Sequence, residues 1–285
     1  MITTETYTLA NEITVPKLGL GTWMIEDDKV AQVVRDAVEI GYRHFDTAQA
    51  YANEKGVGEG IRTCGVDRKE LFVTTKLEAG IKDYEGAKAA IEGSLKALGL
   101  DYIDMLLIHA PQPWSEFRKG EHFFEGNLAA WSAMEEAYKA GKLRAIGVSN
   151  FEKVDLENLI ENGTVKPMVN QVLAHVSNTP FDLIEYTQSQ DILVEAYSPV
   201  AHGKILDNAK IGELAGKYNV SIPQLCIRYA LQLGLLPLPK SATKAHIESN
   251  AQVDFEISAE DMETLKTMER IKDYGDASMF PVFAG

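Results

Sequence analysis

The stretch YIDMLLIHAP, residues 102–111, decides the fold. Apart from Asp104, the run Ile103–Ile108 is apolar without a polar alternation. The strand, expected near Tyr102–His109, is thus covered on both faces, which is the property of a parallel sheet. A helix-period segment, Tyr84–Leu98, precedes it, with Ala87, Ala90, Ile91, Leu95 and Leu98 on one face. Gly99 follows, where a left-handed residue ends a helix. The same rhythm runs outward in both directions. Further strands are expected near Leu18–Gly21, His44–Asp46, Leu71–Lys76, Leu143–Ser149, Val169–Val172, Leu193–Tyr197 and Leu235–Pro239. Amphipathic segments lie at Lys29–Ile40, Asn127–Ala140, Lys153–Ile160, Phe181–Gln190 and Pro223–Leu233, and Gly41, Gly141 and Gly234 punctuate helix ends. Eight βα units fit an open doubly wound sheet or a closed barrel, and the count of eight favours a (β/α)8 TIM barrel. An N-terminal β-hairpin, Thr6–Leu9 and Ile13–Val15 around a turn at Asn11, would plug its bottom. No Pro/Gly/Ser-rich linker divides the chain, so a single domain over 1–285 with extra helices is expected.

Composition bounds the function. The 285 residues are 45% apolar and 25% charged, a globular balance. Lys+Arg 28 against Asp+Glu 42 gives −14, which disfavours nucleic acid and anionic membrane as partners. No apolar run nears the roughly 18 residues of a membrane helix, and MITTETYTLANE has no leader pattern. Two distant cysteines, Cys64 and Cys226, make a disulfide framework or zinc site unexpected and fit a reducing cytoplasm. His44, His122, His175, His202 and His246 show no metal-ligand spacing, so no metal is expected.

The strand ends carry the chemistry. They run Gly21-Thr22-Trp23, Asp46, Lys76, His109, Ser149-Asn150, Gln171, Tyr197-Ser198 and Lys240-Ser241. In a closed barrel these ends meet on one rim, where barrel enzymes place their sites. Taken singly, Asp46 is equally a turn residue, Tyr51 a packed aromatic and His109 a core-edge histidine. Lys76 changes the weighing, because a buried lysine must be paired or lose its proton. Asp46 is the available partner. A Lys⁺ beside a phenol should pull the Tyr51 pKa down from about 10, and three units would be about 4 kcal/mol. That suits Tyr51 as a general acid and His109 as a donor that orients a carbonyl.

A nucleotide site needs other residues. GVGEG at Gly56–Gly60 is not G-x-G-x-x-G and follows no strand, and LGLGTW has too few glycines. PKSATKAHIESN after the last strand offers Lys240, Ser241 and Thr243 at a helix start, a setting for an anion or for an ordinary capped helix. Ser149, Asn150 and Gln171 could hydrogen-bond a carboxamide, and Tyr197 could stack on its ring.

Together these residues resemble the aldo-keto reductase superfamily, most of all its bacterial diketogluconate and glyoxal reductase branch. The motifs are LGLGTW, FDTAQAYANEKGVGEGI, LFVTTKL, YIDMLLIHAP, IGVSNF, NQV, EAYSPVAHGKIL and PLPKSATKAHIESN, and they cover nearly the whole chain. The resemblance implies a barrel that binds NADPH extended across its rim and reduces small carbonyl substrates, with no obligate protein partner. It implies a tetrad of Asp46, Tyr51, Lys76 and His109. Ser149, Asn150 and Gln171 would hold the carboxamide under Tyr197. Ser198, Pro199 and Val200 would line the pyrophosphate; Lys240, Ser241, Thr243, His246 and Asn250 would take the adenosine phosphate end. Gly21, Thr22 and Trp23 would sit at the mouth, with Trp114 beside the substrate. Three departures stand out: His246 and Ser249 where the family often has arginine and glutamate, Ala110 after His109, and a tail GDASMFPVFAG without the usual acidic ending. Histidine is a weaker phosphate clamp than arginine, so some NADH use is implied. In that tail, Phe280 and Phe283 are weakly marked substrate contacts, and the aromatic loop 112–126 either walls a pocket or packs down. Two other functions compete: a nucleotide-binding regulatory subunit with little turnover, and a Schiff-base aldolase using Lys76.

Overall fold

A computed structural model describes residues 1–283. Two short strands, β1 (Thr6–Thr8) and β2 (Thr14–Pro16), pair antiparallel. Eight parallel strands follow: β3 (Gly19–Gly21), β4 (His44–Asp46), β5 (Phe72–Leu77), β6 (Ile103–Ile108), β7 (Leu143–Ser149), β8 (Val169–Leu173), β9 (Leu193–Tyr197) and β10 (Leu236–Leu238). Each pairs with its neighbour in chain order, and a parallel bridge from Gly21 to Lys240 joins the last to the first. The Gly21 N–H donates to the Pro239 carbonyl at 3.1 Å across this seam. The sheet is therefore a TIM barrel, with every expected strand found to within two residues. Glycine is needed here for room: a Cβ at Gly19 would fall 2.5 Å from the Leu238 side chain and 2.8 Å from the His44 ring.

Residues two apart share a face of a strand. The outward set, including Leu20, Phe45, Val73, Leu106, Ile108, Ile146 and Val148, packs in one cluster with the surrounding helices. Those helices are α1 (Asp27–Ile40), α2 (Glu54–Thr63), α3 (Tyr84–Leu98), α4 (Phe124–Lys139), α5 (Lys153–Asn162), α6 (Phe181–Ser189), α7 (Ala209–Lys217), α8 (Ile222–Gln232), α9 (Lys244–Ala251) and α10 (Ala259–Lys266). The inward set, Phe72, Met105, Leu107, Ala145, Val169, Leu236 and Leu238, packs with Leu9 and Val15 of the hairpin. Apart from Ala145, each such buried side chain contributes about 1.5–3 kcal/mol relative to exposure. The hairpin is tied on by Tyr7 Oη to the Leu235 carbonyl (3.1 Å) and Asn11 Nδ2 to the Arg144 carbonyl (2.9 Å). It closes the N-terminal end, so the open rim is the C-terminal one.

The glycines of GVGEG lie inside α2 and are packing devices. A Cβ on Gly56 would fall onto the Asp27 carbonyl, one on Gly58 onto the Leu98 carbonyl, and one on Gly60 within 2.6 Å of Val34 Cβ. Their absent side chains let α2 wedge between α1 and α3. Asn53 stands at the start of α2 yet its side chain does not cap the helix. Its amide instead donates to the carbonyls of Thr22 and Ile25, and its oxygen accepts from Thr47 Oγ1 at 2.6 Å. It staples the loops after β3 and β4 together beneath Tyr51. Helix α7 has no counterpart in the sequence reading; Asn208 caps it through the Ile211 N–H.

Candidate active site

The rim gathers the tetrad. Asp46 ends β4, Lys76 lies near the end of β5, and His109 follows β6. Tyr51 sits in a 3-10 turn, Gln49–Tyr51, released by Ala52 in the left-handed region (φ 55°). Lys76 is fully buried, and its ammonium has three acceptors: Asp46 Oδ1 at 2.6 Å, the Thr47 carbonyl at 2.9 Å and Tyr51 Oη at 3.4 Å. The Tyr51 ring lies edge-on to His109, 5.7 Å between centroids, and His109 is edge-on to Trp114 at 5.2 Å. Four groups far apart in sequence thus form one contiguous cluster.

Electrostatics assign their states. Burial and then the Lys76 charge hold the His109 imidazole well below the usual histidine range, so the ring is neutral at pH 7. Burial opposes the Lys76 ammonium, but the Asp46 charge and hydrogen bond outweigh it, and the pKa rises. The expectation for Tyr51 is corrected. Burial raises its pKa above the ordinary phenol value; the Lys76 charge pulls the other way, and Asp46 opposes Lys76. The carboxylate 2.6 Å from the ammonium cancels much of the field that was expected to produce phenolate. Tyr51 is therefore a protonated phenol, a proton donor in waiting.

A cavity of about 620 Å³ opens over this cluster. Of the sequence-singled residues it is lined by Gly21 at the end of β3, by Trp23 just after it, and by Asp46, Tyr51, His109 and Trp114. Ser149, Asn150 and Gln171 line it from β7 and β8, and Tyr197, Ser198, Pro199, Val200 and Lys240 from the last two strand ends. Thr22 is buried away from it, its hydroxyl donating to the Asp46 carbonyl at 2.9 Å. Ser241 and Asn250 are buried, and Thr243 and His246 are exposed, at the start and along α9. Thr243 makes no side-chain cap bond, and Ser241 Oγ accepts from the Thr243 N–H at 3.1 Å.

The two amides and one hydroxyl expected to hold a carboxamide are each engaged within the protein. Gln171 Nε2 donates to Asp46 Oδ2 (2.9 Å) and to Glu195 Oε2 (2.8 Å). Both its N–H bonds are engaged, so its oxygen is the group it can present. Asn150, at φ 60°, donates to the His109 carbonyl and to Ser149 Oγ and accepts from Tyr197 Oη at 2.7 Å. Beyond β9, Ser198, Ala201 and His202 all have positive φ near 50°. Such strained backbone clusters at functional loops.

Several site residues escaped the sequence reading. Glu195, fully buried in β9, has no signal except its position two residues before Tyr197, which puts both on the inner face. Lys82 donates to the Ala110 carbonyl (2.7 Å) and Asn127 Oδ1 (2.8 Å), fixing the backbone after His109; burial lowers its pKa to about 7. Met24 and His202 line the cavity, as do Pro281 and Val282. The tail reaches the site: Phe280 meets Trp23 edge-on at 4.9 Å, and Phe283 packs against His202 at 4.5 Å. Its last two residues, Ala284 and Gly285, lie outside the described residues. In the 112–126 loop Trp114 walls the cavity while Phe117 is buried with Ala79 and Ala110, so both readings of that loop hold in part. Among the described residues no group of three His, Cys, Asp or Glu is placed as a metal cage.

Comparison with known proteins agrees with this fold. Residues 17–270 match the model of the Aldo/keto reductase family. The chain is 41% identical over 273 residues to glyoxal reductase of Bacillus subtilis (strain 168), covering 95% of each. It is 42% identical to 9,11-endoperoxide prostaglandin H2 reductase of Trypanosoma cruzi (strain CL Brener), covering 94% of this chain and 93% of that one. A solved Bombyx mori aldo-keto reductase in complex with NADP superposes with a TM-score of 0.85 at 33% identity, covering 99% of both chains. With a barrel rim built as above and likeness across nearly its full length, the chain belongs to the aldo/keto reductase family.

Proposed function

We propose that this chain reduces aldehyde and ketone carbonyls of small molecules to alcohols with NADPH, and uses NADH to a lesser degree. The observation that carries this is the chain Asp46–Lys76–Tyr51 ending at a protonated phenol beside a neutral imidazole, under an open cavity. NADPH, when bound across the rim, supplies the hydride. Tyr51 delivers its proton to the carbonyl oxygen, and Lys76 stabilises the phenolate left behind. His109, neutral, donates a hydrogen bond that orients the carbonyl. Preorganised donors aimed at developing oxygen charge are the largest usual catalytic contribution. Asp46 keeps the buried ammonium charged.

For the nucleotide, the Gln171 oxygen can accept from a carboxamide N–H, and Tyr197 offers its ring to the nicotinamide. Ser149 and Asn150 join once Tyr197 Oη releases the Asn150 oxygen. Ser198, Pro199 and Val200 line the pyrophosphate path; Gly21 sits at the mouth, and Thr22, buried with its hydroxyl on the Asp46 carbonyl, supports the mouth from behind. Lys240, Ser241, Thr243, His246 and Asn250 take the adenosine phosphate, helped by the uncapped N-terminus of α9. Trp23 and Trp114 wall the substrate end. The name of the Bacillus subtilis relative supports dicarbonyls of the glyoxal type as substrates. No helix among the described residues is long and apolar enough to cross a membrane. A single domain over 1–285, acting in the cytoplasm without an obligate protein partner, nucleic acid or metal, completes the proposal.

The test is NADPH oxidation with glyoxal and with an aromatic aldehyde, comparing parent and Tyr51→Phe. Loss of general acid catalysis should lower turnover by about 10²–10⁴ while nucleotide binding persists. Near-parental turnover in the variant would refute the mechanism. Tight nucleotide binding by a parent with negligible turnover would instead favour a regulatory subunit. Trapping of Lys76 by borohydride would favour an aldolase.

A further inference from the structure

Inside the barrel, on β9 and joined to Asp46 through Gln171 of β8, lies a second carboxyl that the reaction above does not use. Glu195 is fully buried. Its Oε2 accepts from Gln171 Nε2 at 2.8 Å, and its Oε1 has no hydrogen-bond partner. The other Gln171 N–H goes to Asp46 Oδ2 at 2.9 Å. One amide therefore bridges two carboxyls, and only one of them, Asp46, has a countercharge, Lys76. The neighbours of Glu195 in register are Gln171 on β8 and Leu236 on β10, neither of which carries charge.

We propose that Glu195 is a positioning residue for the nicotinamide end of the site: it holds the Gln171 amide oxygen toward the cofactor and, through its own protonation state, sets the preference between oxidised and reduced nucleotide. The proposal rests on the nucleotide reading given above. Two acceptors fix the amide. With both N–H bonds drawn inward by Asp46 and Glu195, Gln171 can meet the carboxamide only as an acceptor. Charge sets the preference. An oxidised nicotinamide ring carries a positive charge and a reduced ring none. A neutral Glu195 adds nothing to either; an ionised one adds an anion beneath the ring and favours the oxidised form. Burial and the Asp46 charge push Glu195 up to about 8, so the carboxyl is largely protonated at neutral pH.

Other groups titrate around it. Lys76 and Tyr51 lie on the alkaline side, with raised pKa values, and His109 far on the acid side. Lys82, at about 7, sits behind His109 and is unchanged in a Glu195 variant. Groups at the phosphate end act alike on both nucleotides and cancel in a ratio of affinities.

The experiment measures Kd for NADP⁺ and for NADPH, by calorimetry or fluorescence, from pH 6.5 to 9.5 in the parent and in Glu195→Gln. Glutamine keeps an acceptor for Gln171 and has no proton to lose. In the parent, the ratio Kd(NADP⁺)/Kd(NADPH) should fall roughly tenfold as pH rises through 8, the equivalent of one pKa unit of coupling. NADP⁺ binding near pH 8 should also release protons. In Glu195→Gln the ratio should be flat. A flat ratio in the parent, or an unchanged slope in the variant, overturns the role of Glu195 while leaving the nucleotide reading intact. Failure of the parent to bind either nucleotide overturns both. If Glu195→Gln does not fold, Lys82→Gln serves as the second variant: it removes the other group that titrates in this range, and a slope that persists there supports Glu195 whereas a lost slope overturns it.

Discussion

Consider Asp46→Asn. In the parent, the Lys76 ammonium is fully buried and held by Asp46 Oδ1 at 2.6 Å. The substitution removes the only countercharge among its acceptors and leaves two neutral oxygens, the Thr47 carbonyl and Tyr51 Oη. It also creates a donor conflict. If the new amide turns its oxygen to Lys76, its NH2 meets Gln171 Nε2; if it turns the other way, its NH2 meets the ammonium. Breaking a buried pair by removing one partner costs about 3–5 kcal/mol. For a chain of this size that is a fall in Tm of about 6 °C or more. The pH dependence carries a sign. In the parent, the raised Lys76 pKa gives stability that is present below about 10.4, the unfolded value, and is lost only as pH climbs through the folded one. In the variant, burial acts without Asp46 and depresses the Lys76 pKa below its unfolded value. The unfolded state then binds more protons over the window up to about 10.4, and variant stability rises with pH there. Urea melts at pH 7, 8.5 and 10 check this: the gap between parent and variant should narrow toward alkaline pH. A gap under about 1 kcal/mol, or one that does not narrow, refutes the reading of Lys76 as a buried charge that depends on Asp46.

Other outcomes follow from the same geometry. Gly58→Ala should lower stability by about 2–3 kcal/mol in a urea melt, because the added Cβ meets the Leu98 carbonyl, even though helix propensity alone predicts a gain of about 1 kcal/mol. His246→Arg should raise the preference for NADPH over NADH roughly tenfold in KM, by adding a permanent bidentate phosphate donor; an unchanged ratio removes His246 from the phosphate site. Glu195→Gln should show a flatter pH–stability curve than the parent. An acid raised to about 8 binds its proton only in the folded state between about 4.3 and 8, so parent stability declines with pH across that window and the variant gains on it by a few kcal/mol.

The barrel and its rim were legible because the signals were redundant. Eight apolar runs agreed on one architecture, and Asp46, Lys76 and His109 each closed a strand whose neighbours gave them no other reason to be polar there. Lys76 was decisive, since a lysine in LFVTTKL has to find a partner. What stayed hidden depended on contacts rather than spacing. Asn53 sits where a cap belongs, yet its amide is drawn to the carbonyls of Thr22 and Ile25, which only the folded loops bring near. Phe280 and Phe283 are marked in the sequence as substrate contacts, but their partners Trp23 and His202 are reached through a tail whose path no periodicity encodes. The direction of the Tyr51 shift required weighing two opposed fields against burial, and spacing cannot rank them. Glu195 is the instructive case: a glutamate in LVEAY looks like a break in an apolar strand, and only the parity with Tyr197 places it inward.

The protonation states at the rim share one direction. Tyr51 is held protonated, His109 is neutral and Glu195 largely keeps its proton at pH 7. Carbonyl reduction needs a donor phenol and an uncharged floor beneath a reduced ring, and this is the resting arrangement. Alcohol oxidation needs the reverse, a phenolate to accept the proton and a site tolerant of a cationic ring, which the raised Tyr51 pKa makes scarce at neutral pH. The two directions should therefore separate with pH. With saturating nucleotide and alcohol, oxidation turnover should climb about tenfold per pH unit on the way up to the Tyr51 transition, as the phenolate fraction does, while reduction turnover stays level and then declines. If oxidation proved level between pH 7 and 9, Tyr51 would not be the group that exchanges the proton.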